Sequence, residues 1–115
     1  MTLEERRGHT FVGFDRMPSY GGQIVSDLPI TRELFDLRSD SDLAQLNLIQ
    51  AGAGIGGCQL ALAKRLDLVP VMPGAFDFPM ETWVVMHEDL KAVRRVRIVF
   101  DALVAGLAAY LAEQD

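Results

Sequence analysis

The chain is poor in the residues that most catalytic and metal chemistry needs. It holds one cysteine, Cys58, and two histidines, His9 and His87. A lone cysteine forms no internal disulfide, and none of the three stands at metal-ligand spacing from another, so a reducing, cytoplasmic setting without a metal is expected. Neither histidine belongs to a nucleophile–base pattern and no G-x-S-x-G occurs, so no catalytic residue is assigned and a non-enzyme is expected. His87, next to Glu88 and Asp89, has an acid–base reading, outweighed by one in which it ends a strand and leads into a helix. Positive charge is also short: 11 Lys and Arg against 16 Asp and Glu leave a net charge of −5. That balance repels a phosphate backbone and argues against direct DNA or RNA contact. The longest apolar run, residues 102–112, is too short for a bilayer, and "MTLEERRGHT" lacks the apolar core of a signal peptide. Neither a membrane span nor export is expected.

Apolar residues, by contrast, make up half of the 115 positions. A chain of this length supports one core, with apolar surface to spare for a partner. "TFVGF", residues 10–14, has the aromatic and β-branched character of a strand. Ser19 precedes Tyr20, Ile24 and Leu28 at helical spacing, which predicts a helix weakened by Gly21 and Gly22. In "ELFDLRSD" the alternation of Phe35 and Leu37 with Asp36 and Arg38 predicts a second strand. Ser39 to Asp42 are all cap residues, and Leu43, Leu46 and Ile49 follow at three-residue spacing, so a helix runs to a C-terminal glycine, Gly52. A turn or two of helix in "IGGCQLALAKRL", a strand at "LVPVM" and a buried strand at "TWVVMH", with Trp83 and Met86 in the core, come next. The last element is a long helix capped by Asp89, with Val93, Val96, Phe100, Leu103, Leu107 and Tyr110 on one face. Arg94, Arg95 and Arg97 read as its solvated side. The alternation predicts an α/β fold with parallel strands and crossover helices.

"AGAGIGG", residues 51–57, satisfies the dinucleotide fingerprint G-x-G-x-x-G through Gly52, Gly54 and Gly57, with Asp77 about twenty positions on. The fingerprint needs a strand entering the loop and a helix leaving it. Here a helix enters, so the better reading is that Gly52 ends that helix while Gly54 and Gly56 permit close packing. An NAD-dependent oxidoreductase survives only as a letter match, and no cofactor is expected.

In open α/β sheets ligands gather beyond the carboxyl ends of the strands, where helix N-termini favour anions. Two loops qualify: "DRMPSY", after the first strand, and "RSDSD", after the second. Both carry hydroxyls, Ser19, Ser39 and Ser41, with Arg16 close by. Spacing alone leaves two readings open, serines that only cap helices and serines that also face a bound anion.

"LIQAGAGIGGCQLALAKRLDLVPVMP" followed by "TWVVMHEDLKAVRRVRIVFDALVAGL", after "GHTFVGFDRMPSY" and "LRSDSDLAQLNLIQAG", resembles the C-terminal part of the effector-binding domain of LysR-type transcriptional regulators. The resemblance spans about residues 9–111, although Gly57, Cys58 and Gln59 stand where that family has a proline. It implies part of a type II periplasmic-binding-protein-like fold, with residues 10–80 forming most of one subdomain and 81–115 a strand and final helix of the other. It implies an inducer-sensing module that lacks the DNA reader and half of the effector domain. The ligand is expected to be a small, anionic metabolite contacted by Arg16, Met17, Pro18, Ser19 and Tyr20, and by Ser39, Asp40 and Ser41. A different reading is a truncated regulator acting as an interaction module. Without the missing half, the apolar seam from Val93 to Leu111 would be orphaned, so a homodimer, or an oligomer swapping the final helix, is expected. Burying that seam is worth on the order of ten kcal/mol.

Overall fold

A computed structural model of the chain describes residues 8–16, 30–71, 73–74 and 79–113. The helix expected after Ser19, and Asp77, lie outside these residues. The described chain mixes short strands and helices and divides into two compact units, Met1–Phe78 and Pro79–Asp115. Among the described residues no helix is long and apolar enough to cross a membrane.

The first unit is built on a parallel ladder. Strand β1, Val12–Gly13, pairs in parallel with β2, Leu37–Arg38, setting Val12 opposite Leu37 and Gly13 opposite Arg38. On its other side β1 is flanked by a single parallel bridge between Phe11 and Ile55. There the Val12 N–H donates to the Ile55 carbonyl and the Ile55 N–H to the Thr10 carbonyl, both at 2.8 Å. With neighbours on both sides, β1 is buried on both faces: Phe11, Val12 and Gly13 are all buried. The strands are shorter than residues 10–14 and "ELFDLRSD" suggest. Arg32–Leu34 form a 3₁₀ turn, and the Phe35 ring then crosses Gly13 and meets the Phe14 ring edge-on, centroids 5.2 Å apart. The approach of that ring requires a residue without a side chain at position 13.

Helix α1, Asp42–Gln50, starts where the run of cap residues places it, with Ser41 as N-cap. It ends in a Schellman motif: the Gly52 N–H donates to the Ile49 carbonyl (3.0 Å) and the Ala53 N–H to the Leu48 carbonyl (2.9 Å), with Gly52 at φ 72°. Helix α2, Leu60–Arg65, buries Ala61 and ends the same way. The Asp67 N–H reaches the Lys64 carbonyl (3.3 Å) and the Leu68 N–H the Ala63 carbonyl (3.0 Å). Here the left-handed position is Asp67, at φ 52°. An L side chain is strained there, so Asp67→Gly is expected to raise stability by about 0.5–1 kcal/mol, read as a higher urea midpoint with an unchanged slope. A loss of stability would mean that the carboxylate itself holds the turn.

The strand expected at "LVPVM" does not form among the described residues. The Leu68 N–H, which would have opened its ladder, closes α2 instead.

In the second unit residues 79–87 are irregular, so the strand expected at "TWVVMH" is also absent. A β-branched run becomes a strand only where a neighbouring edge accepts its amides and carbonyls, and no described segment pairs with this one. Trp83, expected in the core, is 76% exposed, and its indole N–H donates to Glu81 Oε2 at 3.2 Å. Met86 is half-buried. Asp89 does not cap the last helix. It lies in a 3₁₀ turn, Glu88–Leu90, where the His87 Nδ1 accepts from the Asp89 N–H at 3.2 Å. Helix α3, Arg94–Ala112, starts later, at Val93, with no side-chain cap bond.

Candidate functional site

The parallel register puts the ends of β1 and β2 side by side, so the loops that leave them meet. The Asp15 and Arg16 N–H groups, just after β1, both donate to one oxygen, Oδ1 of Asp40, each at 2.9 Å. Two amides aimed at one point form a small anion cradle, filled here by the chain's own carboxylate. The Asp15 carboxylate is held in turn by Arg32, whose Nε donates to Asp15 Oδ1 at 2.8 Å while Nη2 lies 2.7 Å from the same oxygen. Arg16 Nε lies 3.7 Å from Asp15 Oδ2, and its side chain is 85% exposed. Two acids and two bases thus share the corner, and their formal charges balance.

The serines beside Asp40 are occupied with local structure. Ser41 Oγ accepts from the Ala44 N–H (3.3 Å), the N-cap bond of α1. Ser39 Oγ accepts from the Ser41 N–H (3.2 Å), and the Ser39 carbonyl takes the Gln45 side-chain amide at 2.6 Å. Of the residues expected to contact a ligand, the structure therefore brings Arg16, Ser39, Asp40 and Ser41 to one edge of the ladder. Met17, Pro18, Ser19 and Tyr20 lie outside the described residues.

Asp15 and Arg32 were not foreseen. A signal for Asp40 was present, since four cap-type residues in a row are more than one helix start can use. Nothing local marks Arg32, because its partner is 17 positions earlier. Asp36 was also missed: its Oδ2 accepts from the buried Phe11 N–H at 2.9 Å. A side chain thereby joins the backbone hydrogen bonds of the ladder at that position.

The corner "AGAGIGG" works as a packing joint. A Cβ built on Gly54 would stand 2.6 Å from the Thr10 carbonyl oxygen, and one on Gly56 2.7 Å from Ile49 Cδ1. Gly57, the third glycine of the letter match, has nothing within 4 Å of such an atom. The loop is entered from α1 and leads to the Phe11–Ile55 bridge, the reverse of the order that presents helix amides to a pyrophosphate.

Titrating groups add little chemistry. Partial desolvation pushes the Cys58 thiol pKa up, which keeps it protonated at neutral pH although the residue is exposed. Hydrogen bonds, first from the Thr31 side chain and then from its own backbone, lower the Glu33 pKa. Among the described residues no three His, Cys, Asp or Glu side chains are grouped to hold a metal ion.

No family model, curated protein or solved structure matches the chain.

Proposed function

We propose that the chain is a small-molecule sensing module of the kind found in LysR-type transcriptional regulators, with the corner beyond β1 and β2 as its effector-facing edge. On this reading the full architecture is periplasmic-binding-protein-like, the protein is cytoplasmic and non-enzymatic, and DNA is contacted by another domain. The observation that carries the reading is the capture of the Asp40 carboxylate by the Asp15 and Arg16 amides. The described parts of the two loops expected to bear the ligand, Asp15–Arg16 and Ser39–Ser41, meet at one corner, where two amides already hold a carboxylate of the chain itself. Parallel pairing of β1 with β2 supports it further, because both strands then present their carboxyl ends on the same side. The ligand class that fits is a small carboxylate, whose charge the two amides and the exposed Arg16 complement. Such a ligand acts as an inducer only if it binds one arrangement of the regulator more tightly than another.

The test is a thermal-shift screen with mono- and dicarboxylates and aromatic acids, run on the wild type and on Asp40→Ala. Removing Asp40 vacates both amides. The variant is expected to be less stable without ligand, and to regain several degrees of melting temperature in a matching carboxylate at saturation. No shift in either protein with any acid would overturn the sensing reading.

A further inference from the structure

We infer that helix α3 pairs antiparallel with α3 of a second copy of this chain, about a two-fold axis beside Leu103. Residues 84–86 and α3 border an apolar groove of about 410 Å³, lined on the helix by Val96, Val99, Phe100 and Leu103, with Arg95 at its rim. Val99 and Leu103 remain more than half exposed. An apolar helix face of this size left open by the described residues of its own unit is the usual mark of an interface.

The charges of α3 select the occupant and its direction. Its first turn holds Arg94 and Arg95 and no acid, and its last turn holds no base and leads into Glu113. Both ends therefore run against the helix dipole, which favours acids at the N-terminus and bases at the C-terminus. Arg97 has an intrahelical partner, Asp101, at 3.3 Å, whereas Arg94 and Arg95 form no ion pair with any described residue. A second α3 laid antiparallel about Leu103 brings its carboxyl end and Glu113 beside Arg95, and by symmetry the reverse at the other end, whereas Arg94 stands half a turn away from Leu103 on the outer face. A parallel copy would set arginine against arginine.

Shape agrees with this direction. With Leu103 at the axis, helical geometry places Phe100 of one copy beside Leu107 of the other, and Val99 beside Gly106. Gly106 has open space where a side chain would stand, so it offers the hollow that Val99 needs. Nothing in the pairing depends on the ligand corner.

The experiment uses the full chain carrying Cys58→Ser. Sedimentation at tens of micromolar is expected to show a dimer. Under mild oxidation, Leu103→Cys is expected to cross-link to itself, because positions on the axis come within disulfide reach. Val96→Cys is not expected to do so, since its two copies would stand about 21 Å apart along the helices. Arg95→Glu is expected to raise the dimer Kd about tenfold, where a parallel pair, which would only exchange Arg against Arg for Glu against Glu, would change little. A monomer with unchanged helix content by circular dichroism overturns the inference. So does self-cross-linking of Val96→Cys, or a dimer in which Leu103→Cys fails to cross-link.

Discussion

Gly54→Val is expected to remove about 3 kcal/mol of stability, the upper range for forcing extra atoms into a packed site. Even the first added atom has no room. The Cβ meets the Thr10 carbonyl oxygen at 2.6 Å, and Val12 Cγ2 and the Thr10 carbonyl carbon at 3.0 and 3.1 Å. Two of these neighbours are backbone and cannot rotate aside. The Thr10 carbonyl is also the acceptor of the Ile55 N–H, so making room for the side chain breaks the bridge that flanks β1. Small domains hold only about 5–15 kcal/mol in total, and a loss of this size shows as a large fall in the urea midpoint. Amide exchange at Val12 and Ile55 should quicken together. Gly57→Ala is the matched control: the position has open space, and the variant is expected to be neutral or about 0.5 kcal/mol more stable. Equal losses for the two variants would show that the corner is not a packing joint.

Asp36→Ala is expected to cost about 2 kcal/mol, because it takes a hydrogen-bond acceptor away from a buried N–H. The Phe11 N–H has the Asp36 carboxylate as its acceptor at 2.9 Å, and Phe11 itself is 6% exposed. Around it the Asp36 and Leu37 N–H groups converge on the Phe11 carbonyl at 2.9 and 3.0 Å. The carboxylate thus completes an exchange of hydrogen bonds between the two chain segments. Asp36→Asn keeps an oxygen in place and should lose well under half as much, with Phe11 amide exchange close to wild type. Identical destabilisation by Ala and Asn would mean that charge, and not the hydrogen bond, is what position 36 supplies.

These two residues also mark where the sequence is legible and where it is not. Helix α1 and its end could be read from local pattern, since Ser41 and Gly52 act within a few residues of themselves. Helix α3 could be read from its spacing, although not its start, because the turn at His87 takes up the acids that seemed to cap it. The segment "TWVVMH" has the composition of a strand, but pairing depends on an edge elsewhere in the chain, and composition carries no news of that edge. "LVPVM" failed for a related reason: whether the Leu68 amide closes a helix or opens a strand turns on Asp67 adopting a left-handed backbone. At the candidate site, Ser41 as a cap and Arg16 as an exposed charge were visible. The capture of Asp15 and Arg16 by Asp40 spans 24 to 25 positions and follows from the register of Gly13 with Arg38. A parallel register is not encoded in any local run of residues.

On the proposed reading, Asp40 would set a threshold. Its carboxylate is tethered to the amides it occupies, and a short tether amounts to a competitor present at millimolar effective concentration. On the proposed reading, an incoming acid must outcompete that resident before it can bind. A trace ligand would leave the corner as it is, and one abundant enough to rival the tether would exchange with it. The hydrogen bonds that hold the two loops together would then also fix the concentration at which the corner begins to respond.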